Sequence, residues 1–143
     1  MIQHTRTFKA GEVIYKEGDQ ADNLYIIKSG VVRLCRVREK RILVLATLFM
    51  KEIFGSEDVF KKSLHTNNAV ALEDVELVEV SANDIREQVG DLPDWIGSVM
   101  ETLATRLDES ESVLEKHKIY DSELNESFNL DPEIELIIKE NLL

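Results

Sequence analysis

FKAGEVIYKEGDQADNLYIIKSGVVRL, the stretch from Phe8 to Leu34, decides the fold of this chain. Short apolar segments rich in β-branched and aromatic residues alternate in it with Gly11, Gly18 and Gly30. Glycine enters positive φ without steric cost, so each glycine suits a corner at which an extended segment reverses. The stretch therefore predicts the opening of a small antiparallel β-roll.

The extended pattern continues to residue 80 and then becomes helical. Arg41–Leu48 and Ala69–Val80 are predicted strands, and Ser56–Leu64 between them suits one or two helical turns. Ser81 is a candidate N-cap for a helix that ends near Gly90. The predicted fold class is mainly β with α, an antiparallel β-roll (double-stranded β-helix, jelly-roll-like) followed by helices.

The longest predicted helix begins near Pro93 and ends near Lys118. About 25 helical residues reach roughly 37 Å, which is longer than a domain of this size can cover. Val99 and Ala104 widen its apolar stripe towards the roll. A monomer whose helix packs only on its own domain is the alternative to a parallel homodimer. Heptad spacing favours the homodimer, through Ile96, Met100, Leu103, Leu107, Ser110, Leu114 and His117.

A last short amphipathic helix is predicted from the sequence Asp131-Pro132, with the aspartate as N-cap and the proline at the first helical position. Docking of its apolar face back onto the dimer is favoured over capture of a partner. The chain then comprises a roll with its binding site (1–90), a dimerisation helix (91–120) and a linker with the terminal helix (121–143), as one compact domain. The apolar face consists of Ile134, Ile137, Ile138 and Leu142.

Composition and charge restrict the function. A chain of 143 residues with 43% hydrophobic residues suits one domain, and no apolar run approaches the ~20 residues that span a bilayer. The N-terminus lacks a secretory h-region, so we expect a cytoplasmic protein without a membrane partner. Cys35 is predicted to be a buried thiol and not a redox sensor.

Acidic residues dominate the chain, with 28 Asp and Glu against 17 Lys and Arg and a net charge of −11. Such a surface repels nucleic-acid phosphates, so this chain alone is not expected to bind nucleic acid. A local basic stretch surrounds a predicted Glu39-Lys40 hairpin and is interpreted as a solvated strand face. It contains Arg33, Arg36, Arg38, Lys40 and Arg41.

With the residues between its glycines, the opening stretch resembles the cyclic nucleotide-binding domain, the sensor module of the catabolite activator protein family. The resemblance extends from residue 8 to about 118 and implies a phosphate-binding cassette that opens with Phe-Gly-Glu. In that family an arginine of the cassette pairs with the cyclic phosphate, and the glutamate holds the ribose hydroxyl. Phe54 and Gly55 fit this opening, whereas Ser56 stands at the position of the glutamate and Glu57 follows one place late. The remaining candidate positions of the cassette are His65, Thr66 and Asn67.

His65 stands at the position of the family's arginine, and no arginine occurs between Arg41 and Arg86. Losing a charge-assisted forked contact removes ~2–4 kcal/mol of binding free energy. Lys61 and Lys62 are candidate partial replacements for the charge. His65 itself is either a polar loop residue or a ligand contact.

The predicted function is a dimeric regulatory or protein-interaction module that has lost ordinary cAMP and cGMP binding and has no DNA-binding domain. Engagement of the cassette would change how Val59, Phe60 and Leu64 pack against the long helix. The alternatives are a genuine sensor of a cyclic nucleotide or cyclic dinucleotide with a rebuilt cassette, or the sensor fragment of a transcription regulator. A protein partner is expected, and a cyclic nucleotide is the candidate ligand.

An enzyme is not predicted. The three histidines of the chain lack metal-pair spacing, and the sequence contains neither a Gly-x-Ser-x-Gly elbow nor a Gly-rich P-loop. We therefore expect no catalytic residue and no metal site.

Overall fold

Two four-stranded antiparallel sheets form the body of the protein in a computed structural model that describes residues 3–90, 93–116 and 131–143. One sheet has the strand order β1-β8-β3-β6, and the other has the order β2-β7-β4-β5. The main core lies between them, because all eight strands contribute buried side chains to one cluster. The strands are β1 Gln3–Phe8, β2 Val13–Tyr15, β3 Asn23–Ser29, β4 Val32–Arg38, β5 Arg41–Leu48, β6 Ile53–Phe54, β7 Asn68–Ala71 and β8 Val75–Ser81.

Four helices complete the described part of the chain. The N-cap prediction at Ser81 is confirmed, because its Oγ accepts a hydrogen bond from the backbone N–H of Asp84 at 3.0 Å. The prediction at Asp131 is confirmed by a bond of 2.9 Å from the N–H of Glu133. The predicted β-roll followed by helices is thus the observed fold. The helices are α1 Ser56–Lys61, α2 Ala82–Gly90, α3 Asp94–Lys116 and α4 Pro132–Leu142.

Glycine corners are required at two positions of the roll. Gly30 has a φ of 93°, and a Cβ there would lie 2.5 Å from the carbonyl oxygen of Asp74. Gly11 has a φ of 90°, and a Cβ there would lie 2.5 Å from Cγ2 of Ile137 in α4. Both positions combine a left-handed backbone with a close neighbour, so only glycine fits without strain.

The first strand begins before the predicted opening of the roll. β1 covers Gln3–Phe8 and pairs with β8 from Gln3↔Val80 to Phe8↔Val75. The residues before Phe8 show little apolar alternation of their own. Pairing with a strand some seventy positions away in the chain therefore gives them their extended form.

The prediction of a solvated basic face is wrong for Arg33 and Arg36, each of which is 4% exposed. Residues three positions apart cannot share one face of a strand, because side chains alternate between faces. β4 is an inner strand, between β7 and β5, and it is buried on both faces, since the successive residues Leu34 and Cys35 are 5% and 0% exposed. The predicted hairpin at Glu39 and Lys40 is confirmed, and so is burial of Cys35.

α4 docks on the outer face of the second sheet. Ile138 is buried against Val31, Val70 and Leu72, and two further residues of α4 pack there half-buried. The amide of Asn141 donates a hydrogen bond of 2.9 Å to the carbonyl oxygen of Gly11. Docking of the terminal helix back onto the roll is thus observed. The half-buried residues are Ile134 and Leu142.

The residues of the predicted dimer seam do not all lie on one face of α3. Ile96 and Met100 are half-buried on the side that carries the buried Ala104. Val99 was predicted to touch the roll, but it is 48% exposed. Ser110 is exposed, and the side chain of Leu114 and all of His117 lie outside the described residues. The exposed large apolar residues follow one another at intervals of four, as Trp95, Val99, Leu103 and Leu107.

Candidate functional site

Gly55 leads the chain from the core into α1. Phe54 ends β6 with 1% of its surface exposed, and Gly55 turns the backbone with a φ of 81°. A Cβ at this glycine would lie 3.4 Å from the carbonyl oxygen of Asn23 and 3.7 Å from the rings of His65 and Tyr15. The glycine therefore allows the start of α1 to approach the rings that occupy this end of the roll. Ser56, the next residue, is half-buried and makes no capping bond.

Two buried carboxylates follow in the first turn of α1. Glu57 is 6% exposed, and Asp58 is fully buried. Burial raises the pKa of Glu57, with repulsion from Asp58 adding to the shift, although a hydrogen bond from Asn67 opposes it. Asp58 has two partners from the loop after α1, since Oδ2 lies 3.1 Å from Nδ1 of His65 and Oδ1 accepts the Thr66 hydroxyl at 3.0 Å. The cassette thus concentrates acidic groups.

His65 is fixed on every side. Its ring stacks on Tyr15 with 3.6 Å between the centroids and 6° between the planes. The backbone N–H of His65 donates a hydrogen bond to the carbonyl oxygen of Asp19, and the backbone carbonyl oxygen of His65 accepts one from the N–H of Gly18, both at 2.8 Å. His65 lies in the loop after α1 and is 3% exposed, so both interpretations of it, a polar loop residue and a ligand contact, stay open. A role in contacting ligand stays a prediction.

Tyr15 joins the histidine to the rest of the cassette. Its hydroxyl donates a hydrogen bond of 3.2 Å to Oδ1 of Asn67, which is fully buried. Its ring also lies 6.0 Å from those of Tyr25 and Phe54. The polar network therefore rests directly on the aromatic part of the core, where burial strengthens each hydrogen bond.

Arg36 reaches the same loop from β4, the strand that pairs with β7 directly after that loop. Val32 and Leu34 belong to the core, so strand alternation places Arg36 on the inner face of β4. Its Nε donates a hydrogen bond of 2.8 Å to the carbonyl oxygen of Thr66. This brings a guanidinium next to the position where the cassette itself has a histidine.

Sequence reasoning brought together Gly55, Glu57, His65, Thr66 and Asn67, which the structure also places together. It missed three residues that complete the network. Leu64, which is predicted to pack against the long helix, is 51% exposed and forms an isolated β-bridge with Gln20. Regular alternation along β4 is a signal that could have found Arg36. No local pattern marks the others, because their roles depend on contacts between distant segments. The missed residues are Tyr15, Arg36 and Asp58.

This fold and cassette define a class. Residues 5–91 match the model of the cyclic nucleotide-binding domain, and the chain belongs to that family. The cyclic AMP receptor protein of Thermus thermophilus is 32% identical over 113 residues, which are 77% of this chain and 51% of that protein. The CRP-like cAMP-activated global transcriptional regulator of Mycobacterium tuberculosis is 29% identical over 101 residues, 70% of this chain and 45% of the relative. The chain spans about half the length of these curated relatives.

Solved structures agree with this assignment. The EAL enzyme Bd1971 in its cAMP-bound form is 29% identical with a TM-score of 0.69, over 80% of this chain and 30% of that one. The catabolite activator protein of Thermus thermophilus is 30% identical with a TM-score of 0.64, over 81% of this chain and 55% of that one. The roll and its cassette are thus related both to regulators and to a domain within an enzyme.

In residues 3–90, 93–116 and 131–143, no helix has the length and apolarity to cross a membrane. Within the same part of the chain, no three His, Cys, Asp or Glu side chains cluster in a way that could hold a metal ion.

Proposed function

We propose that this chain is a regulatory domain whose cassette is held closed by its own side chains and has lost ordinary cAMP and cGMP binding. The observation that carries the proposal is the buried contact between Asp58 and His65, at 3.1 Å. An arginine at position 65 would offer a permanently charged fork to a phosphate. The imidazole instead uses Nδ1 on a carboxylate of the same cassette.

Charge supports the proposal further. A cyclic phosphate that enters the cassette would approach Glu57 and Asp58, both buried, and like charges in a poorly solvated site disfavour binding. His65 would also have to leave its stack on Tyr15 before the ligand could use that space. Both effects reduce affinity in addition to the missing arginine.

Titration of the purified chain with cAMP and cGMP tests the proposal. We expect no thermal shift at about 1 mM for the natural sequence, since specific binding to the folded state would raise its melting temperature. The double variant H65R/D58S supplies the guanidinium and removes one carboxylate, so it should gain binding. Binding of either nucleotide to the natural sequence at micromolar concentration would refute the closed cassette.

A sensor with a rebuilt cassette is the second candidate, and Arg36 favours it. Its guanidinium is buried on the inner face and already touches Thr66, so a shift of the loop would bring it to an anion. Arg36→Gln should then abolish binding of a responsive cyclic nucleotide or dinucleotide. Arg38→Gln is the matched control, because Arg38 pairs with Glu17 near the surface at 2.8 Å.

We propose that the chain forms a homodimer through α3 and that a protein partner recognises this dimer. The chain itself would catalyse no reaction. The exposed part of the predicted seam supports this arrangement, since Leu103 and Leu107 are each more than half exposed. Large apolar side chains in a row on a helix are typical of an interface. In light scattering after gel filtration, L103E/L107E should be monomeric, while Thr105→Glu, an exposed position beside the row, should not change the mass.

A further inference from the structure

We propose a second small-molecule site, outside the cassette, in a cavity of about 340 Å³ between α1, α2 and α3. It would take a compact aromatic or aliphatic amine. The volume falls within the range of roughly 300–1,000 Å³ typical of ligand pockets. This site is independent of the function proposed above.

The walls of the cavity are apolar. α1 contributes Val59 and Phe60, α2 contributes Ile85, and α3 contributes Met100. Pro93, directly before the start of α3, also lines the cavity. Such side chains favour burial of a hydrocarbon or an aromatic ring, because apolar surface is removed from water.

Two glycines give the cavity its depth. Gly90 ends α2 and Gly97 lies in the second turn of α3, and both line the cavity. A Cβ built on either would meet no atom within 4 Å, so open space lies directly above the backbone. A larger residue at Gly97 would enter the cavity without displacing a neighbour.

Charge at the rim selects the ligand class. Asp94 and Glu101 are seven residues apart on α3, so they lie on the same face, on either side of Gly97. Both are exposed, and within the described residues neither carboxylate forms an ion pair. Lys62 is the single basic residue among the lining residues that the structure describes, so acidic groups outnumber it. A protonated amine suits this rim better than a neutral or anionic group.

The cavity is separate from the cassette. Glu57, Asp58 and His65 do not line it, although Val59 and Phe60 directly follow the two carboxylates on α1. α1 thus faces the buried network with one side and the cavity with another. A molecule in the cavity would contact α1 and α3 together, the two elements that the cassette would have to couple.

Three probes that share a ring and differ in charge test the site: 2-phenylethylamine, 2-phenylethanol and phenylacetate. In an amide nitrogen–proton NMR titration we expect a dissociation constant on the order of 1 mM for the amine. Exposed carboxylates should favour it over the alcohol by about two- to fivefold, with phenylacetate weakest. The resonances of Gly90 and Gly97 should move, whereas Gly55 in the cassette and Gly18 should not.

Variants separate the cavity from its surroundings. Gly97→Leu fills the space and should abolish the shift at Gly90, while Ser98→Leu, exposed on the next residue, should preserve it. Glu101→Gln should reduce the preference for the amine without affecting the alcohol. Equal binding of all three probes, shifts at Gly55 alone, or full binding to Gly97→Leu would overturn the proposal. Thermal unfolding of each variant verifies that it is folded.

Discussion

Removing the His65 side chain should destabilise the protein far more than its position in a loop suggests. His65→Ala deletes the hydrogen bond of 3.1 Å to Oδ2 of the fully buried Asp58, whose Oδ1 keeps the hydrogen bond from the Thr66 hydroxyl. Leaving a buried acceptor without its donor costs about 1–3 kcal/mol, and more for a charged group, because the acceptor keeps its desolvation penalty. Loss of the aromatic contact between the His65 ring and Tyr15 destabilises the folded state by a further ~0.5–1.5 kcal/mol.

Urea unfolding followed by circular dichroism measures this free energy of unfolding. His4→Ala is the matched control, since His4 lies exposed on β1 and its removal should change stability by less than about 0.5 kcal/mol. The double variant D58A/H65A should be less destabilised than the sum of its single variants, with a coupling of about 1–3 kcal/mol. A cost below about 1 kcal/mol for His65→Ala, or strict additivity, would refute the buried pair.

Three further predictions concern burial and backbone strain. Glu57→Gln should raise the melting temperature near pH 7, because the raised pKa of Glu57 means that its ionised form lowers the stability of the folded state. This gain should vanish below about pH 4.5, where the carboxyl group is protonated in the folded and in the unfolded state. Gly30→Ala should prevent folding or cost several kcal/mol, since the methyl meets a backbone oxygen at 2.5 Å, whereas Gly18→Ala, with open space at a similar φ, should cost about 1 kcal/mol. Melting curves of the pair decide this, and equal losses would contradict it. Ile138→Ala should cost about 2–5 kcal/mol or release α4, seen as faster amide exchange in that helix, while Leu136→Ala, 58% exposed, should leave exchange unchanged.

Much of the fold could be predicted because its signals are local. Glycine at 11, 18 and 30 indicates a left-handed backbone, and Ser81 and Asp131 indicate helix starts, each from neighbouring residues alone. α1 directly after Gly55 follows from the same kind of reasoning. These features depend on φ preferences and on hydrogen bonds that span two or three residues, so the linear sequence contains what they require.

The candidate site was only half predictable, for the opposite reason. Resemblance to the family found Glu57, His65 and Asn67, but nothing near Tyr15 in the chain indicates that its ring will lie 3.6 Å from an imidazole fifty residues later. Alternation along β4 indicates that Arg36 points inward, but its contact with Thr66 depends on the pairing of β4 with β7, which are more than thirty residues apart at that point. Burial of a charge is a property of the surroundings, and the surroundings exist only after folding.

By itself, the sequence determined the β-roll, its glycine corners, its helix starts and the family to which it belongs, because turn geometry, strand alternation and capping are short-range physics. Tertiary structure alone decided that β1 begins at Gln3, that α3 turns one part of its apolar surface inward and another outward, and that the cassette histidine is buried against Asp58. Those outcomes depend on which distant segments remove water from a side chain. Desolvation and cross-strand pairing are set by the whole packed molecule, and no window of the sequence contains them.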